Sequence, residues 1–134
     1  MMRETLCYDA FFYIQTKVVK TMHIEFARGD THEQGFILKN KATGEPITDQ
    51  YDEIYFTVKK YHTDEDYKFQ KRLTLHGITY DDEGRYVIHI APDDTNELPF
   101  GTYEFDVEVV GPNYKRTFYG TMKLTKEVTH YYNE

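Results

Sequence analysis

The side chains able to do chemistry are scattered along this chain, and their spacing argues against a catalytic or metal centre. The six histidines, His23, His32, His62, His76, His89 and His130, occur singly, with no H-x-x-x-H pair and no Cys/His knuckle of zinc type. They read as surface or strand-face residues, and no metal or other cofactor is expected. Acidic runs at Asp64-Glu65-Asp66, Asp81-Asp82-Glu83 and Asp93-Asp94 offer carboxylates for calcium if two loops meet. They lack the order of an EF-hand loop, and adjacent carboxylates in turns commonly serve as solvated caps. Cys7 has no neighbouring histidine to activate it, no G-x-S-x-G elbow is present, and no G-x-x-x-x-G-K sequence cradles phosphate. Glu104, Asp106 and Glu108 are the one set that glycoside cleavage could use, but strict alternation explains them as the wet side of a strand. No catalytic residue is assigned, and the chain is expected not to be an enzyme.

Aromatic side chains are the remaining signal. Tyr55, Tyr61, Tyr67, Tyr80, Tyr119, Tyr131 and Tyr132 fall on polar faces, loops or the tail, where a ring can meet a sugar or another protein. Phe11, Phe12, Tyr13 and Ile14 form the only compact apolar run near the N-terminus. Those four either fold onto their own domain or dock on a neighbouring subunit. The neighbour is the expectation, because the strands can be completed without them.

The elements that position these groups are strands. After Gly101, Tyr103, Phe105, Val107 and Val109 alternate with Thr102, Glu104, Asp106 and Glu108, the pattern of a half-buried antiparallel strand. Further strands are expected around Thr16 to Phe26, Gln34 to Asn40, Glu53 to Lys60, Phe69 to Leu75, Tyr86 to Ile90 and Tyr114 to Thr125. Lys71 marks the fourth of these as an edge. In the last, Phe118, Met122 and Leu124 share a face with Gly120. Turn chemistry separates them at Arg28-Gly29-Asp30-Thr31, Asn40 to Pro46, Asp81 to Gly84 and Gly111-Pro112-Asn113. Before Gly101 stands a structural corner: Asp93 or Asp94 caps a helical turn with Thr95 beside it, Leu98 plugs it inward, Pro99 ends it, and Gly101 permits the return. A phenol at Tyr103 then closes the corner on upstream backbone, as in the tyrosine corner of immunoglobulin-like sandwiches.

These elements predict an all-β chain: an immunoglobulin-like β-sandwich of about seven antiparallel strands with a short helical turn before the Gly101-Thr102-Tyr103 strand. Residues 1–19 are an N-terminal arm or short helix, 20–129 the sandwich, and 130–134 a tail. The antibody-type bridge is missing, since Phe105 stands two residues after the tyrosine and the chain has no Trp.

A length of 134 residues fits one domain, and 13 Tyr with 9 Phe supply a ring-rich core. With 16 Lys and Arg against 23 Asp and Glu, the net charge of -7 repels phosphate backbones and anionic lipid, so neither nucleic acid nor membrane is an expected partner. One cysteine excludes an internal disulfide, and the N-terminal apolar run is too short for a signal sequence, so synthesis in the cytoplasm is expected.

Five stretches together look familiar: IEFARGDT from Ile24, FILKNKATGEPI from Phe36, IYFTVKK from Ile54, GRYVIHIAPDDTNELPFGTYEFDVEV from Gly84 and GTMKLTKEVT from Gly120. In that order they resemble the immunoglobulin-like N-terminal domain of phage baseplate upper proteins and related tail-associated modules, over about residues 20–129. The most specific parts are R-G-D-T, the P-x-D-T-x-x-L-x-x-G-x-Y corner and the closing G-x-x-x-L-T-x-E-V-T strand. The resemblance implies a non-enzymatic phage or prophage structural protein, made in the bacterial cytoplasm and built into a virion. Its partners would be copies of itself, as a homo-oligomer, and other phage structural proteins. Those baseplate proteins continue into a stalk, whereas this sequence ends at Glu134, as a free-standing relative would. The alternative left by the tyrosines is a carbohydrate-binding or adhesion module.

Overall fold

The structure, a computed structural model, describes residues 22–37, 51–80, 85–112 and 115–126. Phe11, Phe12, Tyr13 and Ile14, and with them the expected arm and tail, lie outside the described residues.

Eight strands and one short helix follow in order: β1 (Met22–Ala27), β2 (His32–Ile37), β3 (Glu53–Lys59), β4 (Phe69–Arg72), β5 (Ile78–Tyr80), β6 (Arg85–Ile90), α1 (Pro92–Thr95), β7 (Gly101–Val110) and β8 (Lys115–Thr125). They form a five-stranded sheet, β1-β8-β7-β3-β4, and a three-stranded sheet, β2-β6-β5. The two sheets pack as a sandwich. The distribution of strands follows the immunoglobulin plan, in which third, penultimate and last strands share one sheet and the second pairs in the other.

Alternation drives the packing. Tyr103, Phe105, Val107 and Val109 are buried, and Ile54, Phe56 and Val58 on β3 are fully so. The β3–β7 register sets Phe56 opposite Val107 and Val58 opposite Phe105, so both strands give the same layer to the core. Tyr86, Ile88 and Ile90 face them from the smaller sheet. Tilted ring contacts, Phe56 to Phe105 at 4.9 Å and Tyr80 to Tyr86 at 4.6 Å, fill the interior.

Three expectations need correction. The strands are not all antiparallel: β1 runs parallel to β8, with Met22 opposite Gly120 and Phe26 opposite Leu124. The two come from opposite ends of the domain, so no hairpin imposes their direction. The strand expected to reach Leu75 ends at Arg72, and Leu75 is 63% exposed. Its end is set by Glu53, whose carboxylate accepts from the Thr74 N–H (3.0 Å) and pulls the chain into a turn. The eighth strand is β5, three residues whose short Ile-Thr-Tyr pattern carries too little periodicity to read.

β4 does lie at a sheet edge, and Lys71 is the inward-pointing charge that guards it. Its side chain is only 10% exposed and its ammonium meets Asp94 at 2.7 Å. The same Asp94 oxygen accepts the Ala91 N–H at 2.8 Å. One carboxylate thus caps α1 and neutralises the buried lysine. Asp94, not Asp93, is the cap, and its target is the residue before the helix.

Candidate functional site

The expected corner is built as a unit. The Tyr103 phenol donates to the Pro99 carbonyl at 2.7 Å, closing the loop four residues upstream. Gly101 takes φ +134 and Leu98 packs partly buried against the core. Thr95 had no specific role in the sequence beyond its place in the corner, yet it is 0% exposed and decides how the corner is held. Its hydroxyl accepts the Gly29 N–H at 2.9 Å, and Gly29 sits at φ +82, where glycine is favoured. Next to it the Arg28 guanidinium donates to the Leu98 carbonyl (3.3 Å) and lies 4.1 Å over the Phe100 ring. The turn after β1 and the corner before β7 are therefore one locked cluster.

On the outer face of the larger sheet, neighbouring strands align a polar row: His23 on β1, Thr121 on β8, Glu104 on β7 and Lys59 on β3. His23 Nδ1 and the Thr121 hydroxyl lie 2.8 Å apart. Beyond β3 the chain folds back so that His62 reaches Glu104, its backbone N–H at 2.5 Å and its Nδ1 at 2.7 Å, both on Oε1. Those two contacts hold the Glu104 carboxyl below its ordinary range. Two residues along β7, burial first and the Glu108 charge second push Asp106 up, with Lys59 opposing. Unlike carboxyl groups of this kind mark acid and base pairs when a substrate lies between them. Here the two stand two residues apart on the same face of one strand.

Beside Glu104 lies a hollow of about 380 Å³ lined by His62, Glu104, Phe105, Tyr119, Gly120 and Thr121. Glu104, Tyr119 and His62 were legible in the sequence as surface residues, but Thr121 was not singled out and the meeting of these side chains was not legible. His62 joins Glu104 across 42 residues, a meeting set by the β3–β7 register and by no local signal. Gly120 is held small by its neighbours, since an added Cβ would stand 2.6 Å from the Met22 carbonyl and overlap the Phe105 ring.

The remaining candidates disperse. Tyr61, Tyr67 and Tyr119 are 58%, 52% and 53% exposed, whereas Tyr80 packs against Tyr86. Tyr55 lies 5.0 Å from the Arg72 guanidinium. Histidines pair singly with nearby carboxylates, His89 with Glu33 at 3.1 Å and His23 with Glu25 at 3.4 Å. His32 stacks on Phe26 at 4.7 Å, and burial lowers its pKa. Asp64 accepts the Tyr61 N–H at 3.1 Å, a turn cap. Among the described residues no three His, Cys, Asp or Glu side chains gather as a metal site. No helix among them is long and apolar enough to cross a membrane.

Fold and surface define an immunoglobulin-like β-sandwich domain with a cross-strand polar row on its larger sheet. No protein-family model matches the chain and no curated protein matches its sequence. Among solved structures it is similar to an endo-beta-1,4-mannanase from Thermotoga petrophila, at 13% identity and a TM-score of 0.49. The alignment covers 82% of this chain and 19% of that one, so the chain spans about a fifth of that protein's length. A likeness of that degree transfers neither activity nor substrate.

Proposed function

We propose that this domain is a non-enzymatic structural module of a phage or prophage tail or baseplate, acting through protein–protein contacts with its own copies and with other particle proteins. One observation carries the reading. The two most specific segments of the baseplate resemblance, R-G-D-T at Arg28 and the P-x-D-T corner at Pro92, are joined by the Gly29–Thr95 and Arg28–Leu98 hydrogen bonds. A shared pair of motifs that forms one physical unit is harder to produce by chance than two unrelated turns. The reading is tested by the genes on either side of this one. Tail, holin or lysin genes are expected; secreted glycan-degrading enzymes as neighbours would overturn it.

A second reading, an adhesion module that binds carbohydrate through surface tyrosines, is favoured by Tyr119, whose half-exposed ring borders a hollow. A glycan array read with calcium and with chelator separates the two, because a purely structural block binds nothing on it.

A further inference from the structure

We propose that the hollow between Tyr119, Glu104, His62 and Thr121 is a binding site for one neutral sugar ring. This rests on the second, adhesion reading, which is compatible with a place in a particle but not with a purely structural block, and gives it a place and a ligand class. The volume of about 380 Å³ falls at the small end of ligand sites, which run from about 300 to 1,000 Å³. Its lining combines an aromatic wall, a backbone floor and a few oriented polar groups, a mixture that complements a pyranose, which has one face of C–H groups and a rim of hydroxyls.

Each lining residue has a definite part. Tyr119 is 53% exposed, and among the described residues no ring or cation packs on it, so its apolar face is open for stacking. Glu104 is anchored through Oε1 by both His62 donors, which leaves Oε2 as an acceptor already fixed in place. The Thr121 hydroxyl, steadied by His23, both donates and accepts. The backbone of Phe105, whose ring faces the core, and the side-chain-free Gly120 complete the floor.

Electrostatics narrows the ligand. Glu104 is kept ionised, and Asp106 and Glu108 follow it along the same face of β7, so a carboxylate, sulfate or phosphate would meet repulsion. A purely apolar ligand would cover Glu104 Oε2 without offering it a donor. Lys59 stands opposite Glu104 in the sheet, but its ammonium donates to the Asp64 carbonyl at 2.7 Å and acts on Asp106, so a cation is the competing ligand class that the test separates.

An amide-resolved NMR titration tests this with the methyl glycosides of glucose, galactose, mannose and N-acetylglucosamine, and with acetyl-arginine amide as the cationic comparison. Saturable shifts are expected at Glu104, Tyr119, Gly120 and Thr121 with at least one glycoside. Tyr119→Ala should weaken that binding by about tenfold or more, since a stacking aromatic carries ~1.4 kcal/mol or more. Glu104→Gln should weaken it by about threefold to tenfold. Thr79→Ala, on the other sheet, should change nothing. Thermal midpoints of the variants report that they fold. Absence of saturable shifts with every glycoside overturns the proposal. Shifts confined to Tyr61 and Tyr67 overturn the site while the adhesion reading stands. A response to acetyl-arginine amide alone overturns the ligand class.

Discussion

At the scale of single residues, the fold depends on a few polar side chains whose partners are backbone groups or buried charges. Tyr103 is the clearest, because its ring is in the core while its hydroxyl ties down the Pro99 carbonyl. Tyr103→Phe keeps the ring and removes one hydrogen bond, so the expected loss is about 0.5–1.5 kcal/mol, read as a lower denaturant midpoint at unchanged slope. Glu53 sets the pH response. Burial raises its pKa, but hydrogen bonds from Thr74, Arg72 and the Ile54 N–H outweigh that and hold it at about 2 against an ordinary 4.5. A carboxyl depressed in the folded state contributes stability above its unfolded pKa and loses it as the group protonates. Stability should therefore fall as pH drops from about 4.5 toward 2, and Glu53→Gln should flatten that limb in acid-denaturation curves. The sequence showed Tyr103 by its place after Gly101. It gave no sign of Glu53, whose partners Arg72 and Thr74 lie on and beyond another strand.

At the scale of elements, close approach between strands decides what each position tolerates. Gly120 stands opposite both Phe105 on β7 and Met22 on β1, and the Phe105 ring occupies the space that a side chain would take. Gly120→Ala should cost about 1–3 kcal/mol, with a matching drop in thermal midpoint, because the ring or the parallel β1 pairing must shift. Thr95 joins elements that the chain separates by 66 residues. Thr95→Val keeps the shape and leaves the Gly29 N–H without its acceptor, so about 1–3 kcal/mol should be lost. Amide exchange should accelerate first in the turn after β1. Strand faces were readable here because burial on one side enforces a period of two. The parallel β1 pairing, the early end of β4 and the existence of β5 were not, since each follows from contacts outside its own segment.

At the scale of the whole molecule, a sandwich with a net charge of -7 and a larger sheet facing outward has surface to give to partners. If subunit contacts run through the Phe11 to Ile14 segment, the full chain should scatter light as an oligomer at micromolar concentration. Deleting residues 3–19 should return it to monomer, and monomer in both forms would remove that segment from the interface. Added salt should favour association by screening like charges.

The sequence by itself determined that this chain makes two layers of strands, which faces are wet, and that a capped turn precedes Tyr103. Those properties are local, written in alternation and turn residues within a few positions of one another. Only the tertiary structure decided that β1 runs parallel to β8, that Lys71 turns inward to Asp94, and that His62, Glu104, Tyr119 and Thr121 surround one hollow. Register between strands distant in the chain brings those groups together, and register is fixed by how the whole core packs.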